Sequence, residues 1–396
     1  MLELIVRVLV FIFIISATFF GSLLDIQSFI IRVTFLPLLF IVIFTRPNFD
    51  ILKRREFIAF AFVLFFAVIS VLTPETVNMQ LYFKELYNIT LSLFIFFVFF
   101  NLIRKYALLL TIFYAYLVVS IMFVIFVLMN ANVIYAIRFE RFEEIFDANY
   151  YGYYFFLTMF GMGYLIHFRE KRKIIYLYYP LVFLFLVVGL ISGSRGTVAF
   201  VLISHLVIIY LMGKKNFYIQ LSLATLFGII YGFGAFEDFL VYQRYIYTIE
   251  GIEMSRIRLM QLAAELFMQH PILGVGAGNF LEHEPTAHFS HSTFFEIASG
   301  MGIFGLIAIT YFLIYPLRRV LIFRKKQILS KNESYYWIGF FSVFILYNFL
   351  YTFYIAPYIM LFVFTILSNL YKKEDTLNES LAHQEKMLKL RETYDY

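Results

Sequence analysis

Two histidines lie three residues apart in the segment HFSHSTFFE, residues 288–296. His288 and His291 are followed by Glu296 and then by an apolar stretch, so both imidazoles lie at the edge of a hydrophobic segment. An imidazole can act as a base near neutral pH or bind a metal ion. Zinc needs a third protein ligand, and the spacing matches no metal signature although further candidates lie nearby: Glu282, His283 and Glu284. The base role requires an anion site and an acceptor hydroxyl beside the histidine.

An anion site is predicted in the segment SGSRGTVAF, residues 192–200. Arg195 follows Ser194 in a connection too short to rise far from a membrane, and an apolar segment follows. A guanidinium beside the amides and the positive dipole end of a helix favours an anion such as phosphate. The alternative is an arginine that pairs with lipid phosphate or caps a neighbouring helix.

Two further pairs of arginines lie outside the apolar segments. Arg256 and Arg258 open a predicted helix that Pro271 must end. Because they are two residues apart they do not share a helix face, so only one is expected to face the site. Arg138 and Arg141 lie in IRFERFEEIFD, a predicted amphipathic helix on the membrane surface, where acidic neighbours favour a solvated face.

Membrane helices must position these residues. The chain is 62% hydrophobic and 21% aromatic with only 15% charged residues, a balance that excludes a soluble globular domain. Its apolar blocks are long enough to cross a bilayer, which takes about 20 residues per helix. The absence of cysteine excludes disulfides and thiolate metal sites.

We predict an all-α polytopic membrane protein with about twelve transmembrane helices. The predicted transmembrane domain covers residues 1–371, and a polar cytoplasmic tail covers 372–396. We read the first apolar block as a retained helix rather than a signal peptide. The apolar blocks fall near residues 4–20, 26–44, 57–72, 87–103, 107–129, 149–168, 174–191, 197–212, 216–235, 292–316, 335–353 and 357–371.

The charge distribution predicts the orientation. Most Lys and Arg follow the even-numbered apolar blocks, which places those connections and both termini in the cytoplasm. The long outer connection, about residues 236–291, contributes the active site. Within it GVGAGNF, residues 274–280, predicts a tight irregular turn, because a nucleotide-binding fingerprint needs a βαβ unit.

Taken in order, these motifs resemble the bacterial O-antigen ligase and polymerase superfamily. The chain has SGSRG at 192–196, then Arg256 fourteen positions before the His of HPILGVGAGNF, then HSTFFEIASGMGIFG at 291–305. FDANYYG at 146–152, which contains Asn149, is similar to the family's FxxPNxxG with alanine in place of proline.

The resemblance implies a GT-C-like fold and glycan transfer from undecaprenyl diphosphate outside the bacterial inner membrane. His291 matches the family's essential histidine, proposed as base, and Arg195 and Arg256 match arginines proposed to hold the diphosphate. Inversion at the anomeric carbon and independence of metal and cofactor are expected, since arginine can supply the positive charge. Further candidate substrate contacts are Arg258, Arg138, Arg141, Asn149, Ser194, His288 and Glu296.

The acceptor separates two functions within this family. The outer connections carry more acidic than basic residues, which suits a neutral or cationic glycan better than a phosphorylated lipid A core. We therefore predict a polymerase of O-antigen or capsular polysaccharide, with an O-antigen ligase as the alternative. Expected partners are the lipid-linked donor, the glycan or lipid A core acceptor, membrane lipids, and flippase and chain-length regulator proteins. No nucleic acid is expected.

A transporter or lipid flippase is the alternative from another functional class, for which twelve helices are also typical. A transporter places its charged or broken-helix site near the midplane of the membrane and shows two related halves. In this sequence the unusual residues cluster at one face and the halves look unlike, which favours an enzyme.

Overall fold

The computed structural model describes residues 1–20, 27–75, 77–130, 148–169, 172–192, 194–212, 217–218, 220–222, 225, 255–284, 290–352 and 356–394. Every regular element in these ranges is helical. The candidate residues Arg138, Arg141 and His288 lie outside them, and Arg195 and Asn149 are described by their backbones alone.

The helices follow the predicted apolar blocks closely. In chain order they are α1 Leu2–Ile15, α2 Gln27–Phe44, α3 Arg55–Ile69, α4 Met79–Lys105, α5 Leu109–Met129, α6 Ala148–Phe168, α7 Ile175–Ile191, α8 Arg195–Met212, α9 Ser255–Gln269, α10 Phe280–His283, α11 Thr293–Lys325, α12 Lys331–Leu350 and α13 Pro357–Tyr394. The predicted block 216–235 lies mostly outside the described residues.

Several of these helices can cross a membrane. Among the described residues, five are long and apolar enough: Leu2–Phe19, Arg55–Leu72, Met79–Lys105, Leu109–Met129 and Thr293–Lys325. Shorter apolar helices cover Val33–Phe44, Ile175–Ile191 and Gly196–Leu211. The chain is thus built as a polytopic helical membrane protein, while the number of twelve spans stays a prediction.

Helices α6, α8 and α12 pack together through a ladder of aromatic rings. Phe156 of α6 stacks on Phe340 of α12 with centroids 5.3 Å apart, and Tyr153 meets Tyr347 edge-on at the same separation. Phe200 of α8 stacks on Tyr347. The ladder fixes the end of α12 against the start of α8.

Charged side chains gather at one end of the bundle around two acidic residues of α13. Glu374 accepts hydrogen bonds from Arg54 at 3.1 Å, Arg319 at 2.6 Å and Lys326 at 3.4 Å. Asp375 pairs with Arg54 at 3.0 Å and with Arg104 at 3.1 Å. These contacts tie α13 to the adjoining ends of α3, α4 and α11. The other ends of α3, α4 and α11 hold the candidate site.

Candidate functional site

Helix α8 begins at the SRG motif because Ser194 caps it. The Ser194 hydroxyl accepts a hydrogen bond from the Thr197 amide at 3.2 Å and lies 2.8 Å from the Thr197 hydroxyl. A serine in this position satisfies one of the helix's first amide donors. Arg195 is therefore the first residue of α8, at the positive end of the helix dipole. Ser194, a predicted substrate contact, is buried and has this capping task.

The NYYG segment of α6 lies directly against the start of α8. A Cβ on Gly152 would come within 2.2 Å of the Thr197 hydroxyl, so only glycine permits this approach. Close packing through small residues is common between membrane helices. Asn149 lies three residues before Gly152 in the same helix, so its backbone is about one turn from the contact with α8.

The two arginines of α9 diverge, as their spacing predicts. Arg256 directs its Nη1 to the Tyr351 hydroxyl at 3.3 Å, and its guanidinium carbon lies 4.9 Å from the centre of the Tyr351 ring. Arg258 instead pairs with Glu284 at 2.7 Å and is 74% exposed. Arg256 is thus the arginine of this pair that faces the bundle.

His291 stands in a backbone conformation that is uncommon for a residue with a side chain. Its φ is 61°, in the left-handed region. The neighbouring Ser290 amide donates to the Glu296 carboxylate at 2.6 Å, and the Glu296 amide donates back to the Ser292 carbonyl at 2.9 Å. Glu296 is buried. Glu296, a predicted substrate contact, therefore accepts a hydrogen bond from the backbone amide that precedes His291.

Tyr351, directly after α12, joins the segments that carry the other candidates. Its backbone carbonyl accepts from the Thr293 amide at 3.1 Å, two residues after His291. Its hydroxyl bonds Arg256 and also covers Gly196, where an added Cβ would lie 1.8 Å from the hydroxyl oxygen. One buried residue thus touches the SRG segment, α9 and the start of α11.

The GVGAGNF segment is a tight turn that is bonded to the ends of α3 and α4. The Thr73 hydroxyl donates to the Gly274 carbonyl at 2.6 Å, and the Ala277 amide donates to the Ser70 hydroxyl at 2.9 Å. The Asn279 side chain accepts from the amide of residue 78 at 2.6 Å. These bonds fix the outer segment after α9 to the bundle.

The segment from Pro271 to this turn supplies hydrogen bonds at a break in α11. Gly302 has φ 69° and ψ −165°, so the helix is interrupted there. The bond that a continuous helix would form between the Ser299 carbonyl and the Ile303 amide is replaced. The Ser299 carbonyl accepts from Val275 at 2.8 Å, and the Ile303 amide donates to Pro271 at 2.8 Å.

One family model matches residues 180–310, and its description is O-antigen ligase. This match supports the resemblance of the chain to the O-antigen ligase and polymerase superfamily. The matched region runs from α7 into α11 and contains Arg195, Arg256 and His291. Tyr351 lies outside it. A comparison with curated proteins finds no match.

Acidic residues of the outer connections lie near this end of the bundle. Several are bonded to the protein itself. Glu75 lies 3.1 Å from the His270 ring, and Glu282 accepts from the Asn78 side chain at 2.6 Å. Glu284 holds Arg258. Of these contacts, the pair of Arg258 and Glu284 joins two opposite charges of the same outer connection, so the excess of acidic over basic residues there is unchanged.

The histidine segment was predicted to lack a metal signature. Across the ranges of the chain described above, no group of three His, Cys, Asp or Glu side chains could hold a metal ion. His288, one of the two histidines considered, lies outside those ranges, and the expectation of a metal-free reaction stays a prediction.

Two features of the site were not predicted from the sequence: the role of Tyr351 and the break in α11. Tyr351 is one of 31 tyrosines and ends an apolar block, so nothing in its surroundings marks it. The break at Gly302 lies in the glycine-rich stretch GMGIFG, whose three glycines are compatible with either a continuous or an interrupted helix.

Proposed function

We propose that this protein is an inverting glycosyltransferase that uses undecaprenyl-diphosphate-linked oligosaccharide as donor and a sugar hydroxyl as acceptor. The observation that supports this most is the meeting of three segments at Tyr351. Through it the start of α8, the start of α9 and the start of α11 lie together, and these carry Arg195, Arg256 and His291.

In the proposed reaction His291 accepts the proton of the acceptor hydroxyl as the oxygen attacks the anomeric carbon. The bond from that carbon to the diphosphate oxygen breaks on the opposite side, which inverts the configuration. Undecaprenyl diphosphate leaves with the electron pair, and Arg195 and Arg256 stabilise the charge that develops on it. A base held in place this way contributes about 10²–10⁴-fold.

The conformation of His291 supports a base fixed before the substrate arrives. A left-handed backbone costs roughly 1–2 kcal/mol for a residue with a side chain. Here two hydrogen bonds, from Ser290 to Glu296 and from Glu296 to Ser292, surround the strained residue. Strain that surrounding contacts maintain is common where a side chain must be aimed at a reacting group.

We place the active site on the periplasmic or extracellular face of the cytoplasmic membrane, with both termini inside. Support comes from the opposite ends of α3 and α11. Arg54 and Arg319 lie in the basic cluster at one end, whereas Thr73 and Ser299 bond the outer turn at the other. The positive-inside rule assigns the basic end to the cytoplasm. Residues 1–371 then form one membrane domain with an outer segment at about 236–291.

The identity of the acceptor distinguishes two versions of the proposal, a polymerase and an O-antigen ligase. The excess of acidic residues in the outer connections favours a neutral or cationic growing glycan, hence a polymerase. The description of the matching family model favours an O-antigen ligase, whose acceptor is lipid A core.

The positions of the candidate residues argue against a transporter. Arg256, His291 and Tyr351 lie in or next to the ends of helices. Transporters instead place their sites near the midplane, between two related halves.

Purified protein in nanodiscs with lipid-linked repeat units and acceptor tests the enzymatic function. We expect glycan product from the native protein and a loss of about 10²–10⁴-fold in His291→Ala. The matched control is His383→Ala, which changes an exposed histidine of α13. Absence of product from the folded native protein would refute the transferase, and full activity of His291→Ala would remove the base role.

A further inference from the structure

Tyr351 contacts three segments that carry candidate residues of the site. Its side chain is 2% exposed. The hydroxyl receives a hydrogen bond from Arg256 at 3.3 Å, and the ring lies beneath the guanidinium at 4.9 Å. The guanidinium is therefore fixed both in direction, by the hydroxyl, and in plane, by the ring.

The Tyr351 hydroxyl also determines the position of the Arg256 guanidinium relative to α8. It lies over Gly196, so close that a Cβ there would come within 1.8 Å of the oxygen. Gly196 directly follows Arg195 at the start of α8. The contact therefore brings Arg256 to the helix terminus at which the other candidate arginine begins.

We propose that Tyr351 is a positioning residue for donor binding, which holds the Arg256 guanidinium at the start of α8 before the diphosphate arrives. This inference rests on the proposed transferase function. An arginine already held in its binding geometry loses less conformational freedom when it meets a phosphate oxygen, so the donor binds more tightly. The hydroxyl acts through Arg256, so its removal affects donor affinity more than the chemical step.

The backbone of Tyr351 serves a separate purpose. Its carbonyl accepts from the amide of Thr293, and this bond does not depend on the side chain. Tyr351→Phe therefore keeps the link to the His291 segment and the ring beneath Arg256. It removes only the hydroxyl, which isolates the contact under test.

Donor titrations of the purified protein in nanodiscs measure the effect. For Tyr351→Phe we expect the donor KM to rise by about 5–10-fold, the size of a typical lost hydrogen bond, with kcat changed by less than ~2-fold. The matched control is Tyr336→Phe, which removes a buried hydroxyl that donates to the Phe160 carbonyl near the opposite end of α12. The control should lower the melting temperature and leave the donor KM unchanged.

Two further variants keep the test decisive. Gly196→Ala displaces the hydroxyl from the other side and should raise the donor KM in the same way. In an Arg256→Lys background, Tyr351→Phe should add less than ~2-fold, because the two residues act through one contact. A Tyr351→Phe effect that persists in full in that background overturns the inference.

The outcomes separate this inference from the function on which it rests. If the native protein transfers glycan and Arg256→Ala impairs it while Tyr351→Phe has native kinetics, the positioning role is wrong and the transferase stands. If the native protein transfers no glycan, the transferase fails. Equal affinity of the native and Tyr351→Phe proteins for undecaprenyl diphosphate, measured by direct binding, overturns the positioning role in either case.

Discussion

Arg256 and Arg258 open the same helix, yet Arg256 lies on the buried ring of Tyr351 while Arg258 forms an exposed salt bridge with Glu284. We predict that Arg256→Ala lowers kcat/KM for the lipid-linked donor by about 10²–10³-fold, the usual loss for a charge-stabilising donor. Arg258→Ala should change it by less than ~3-fold, since an exposed ion pair contributes little. Initial rates at varied donor concentration measure both. Equal losses would show that Arg258 also contacts the donor.

Glu296 is expected to act as a hydrogen-bond acceptor for the Ser290 amide. Glu296→Ala removes that bond and should reduce kcat by about tenfold or more, in line with roughly 1.5–3 kcal/mol for a bond to a charged group. Glu296→Gln keeps an oxygen acceptor and should retain most of the activity. Single-turnover rates distinguish the two, and binding of undecaprenyl diphosphate should stay native in both. If Gln is as poor as Ala, the negative charge of Glu296 matters and the backbone role is insufficient.

Gly302 should be intolerant of any side chain. Its φ of 69° and the approach of the Ile272 carbonyl, 2.1 Å from where a Cβ would stand, both oppose substitution. Gly302→Ala is predicted to destabilise the protein by roughly 1–3 kcal/mol or more. Gly300→Ala is the matched control, because the nearest atom to its added Cβ is 3.3 Å away. Thermal unfolding in detergent should separate the two variants, and equal melting temperatures would contradict the strained geometry.

The cluster around Glu374 should stabilise the fold without affecting the chemistry. Glu374→Gln leaves Arg54 and Arg319 with a weakened partner in a partly buried position, which should cost about 3 kcal/mol or somewhat less. The donor KM of the remaining folded protein should stay native, because the site lies at the other end of the bundle. Glu379→Gln, an exposed position in the same helix, serves as control. A changed donor KM in Glu374→Gln would show that the two ends are coupled.

A deletion strain decides the acceptor. A polymerase mutant should accumulate single repeat units on the carrier lipid, while a ligase mutant should keep long chains on that lipid that are not attached to core. Extraction of carrier-lipid glycans and electrophoresis of lipopolysaccharide distinguish these outcomes. The acidic outer connections predict the first result, and long unattached chains would refute the polymerase.

Much of the helical architecture could be predicted from hydrophobic segments, because the bilayer thickness fixes the length of an apolar block. The blocks at 107–129 and 149–168 match α5 and α6 nearly residue for residue. Helix α4 begins at Met79, eight residues before its predicted block, because polar residues such as Asn78 cap and extend it. The block at 216–235 lies mostly outside the described residues, and the number of twelve spans remains a prediction.

The site was only partly predictable. The two-residue separation of Arg256 and Arg258 was enough to predict that their side chains diverge, because this depends only on the geometry of one helix. The contact between Arg256 and Tyr351 joins residues 95 positions apart, and no local pattern encodes it. Glu296 was predicted as a substrate contact, and its carboxylate accepts a hydrogen bond from the Ser290 backbone amide, a contact that no sequence pattern indicated.

The break in α11 has a consequence for how the protein folds. Its missing bond is completed by Val275 and Pro271, so the membrane helix and the outer turn share one hydrogen-bond network. Neither can be fully ordered alone, since an unbonded amide or carbonyl at this depth is costly. The Ile303 amide thereby becomes a natural reporter: it exchanges with solvent deuterium only when the turn leaves α11. Loop docking can be followed at one backbone proton.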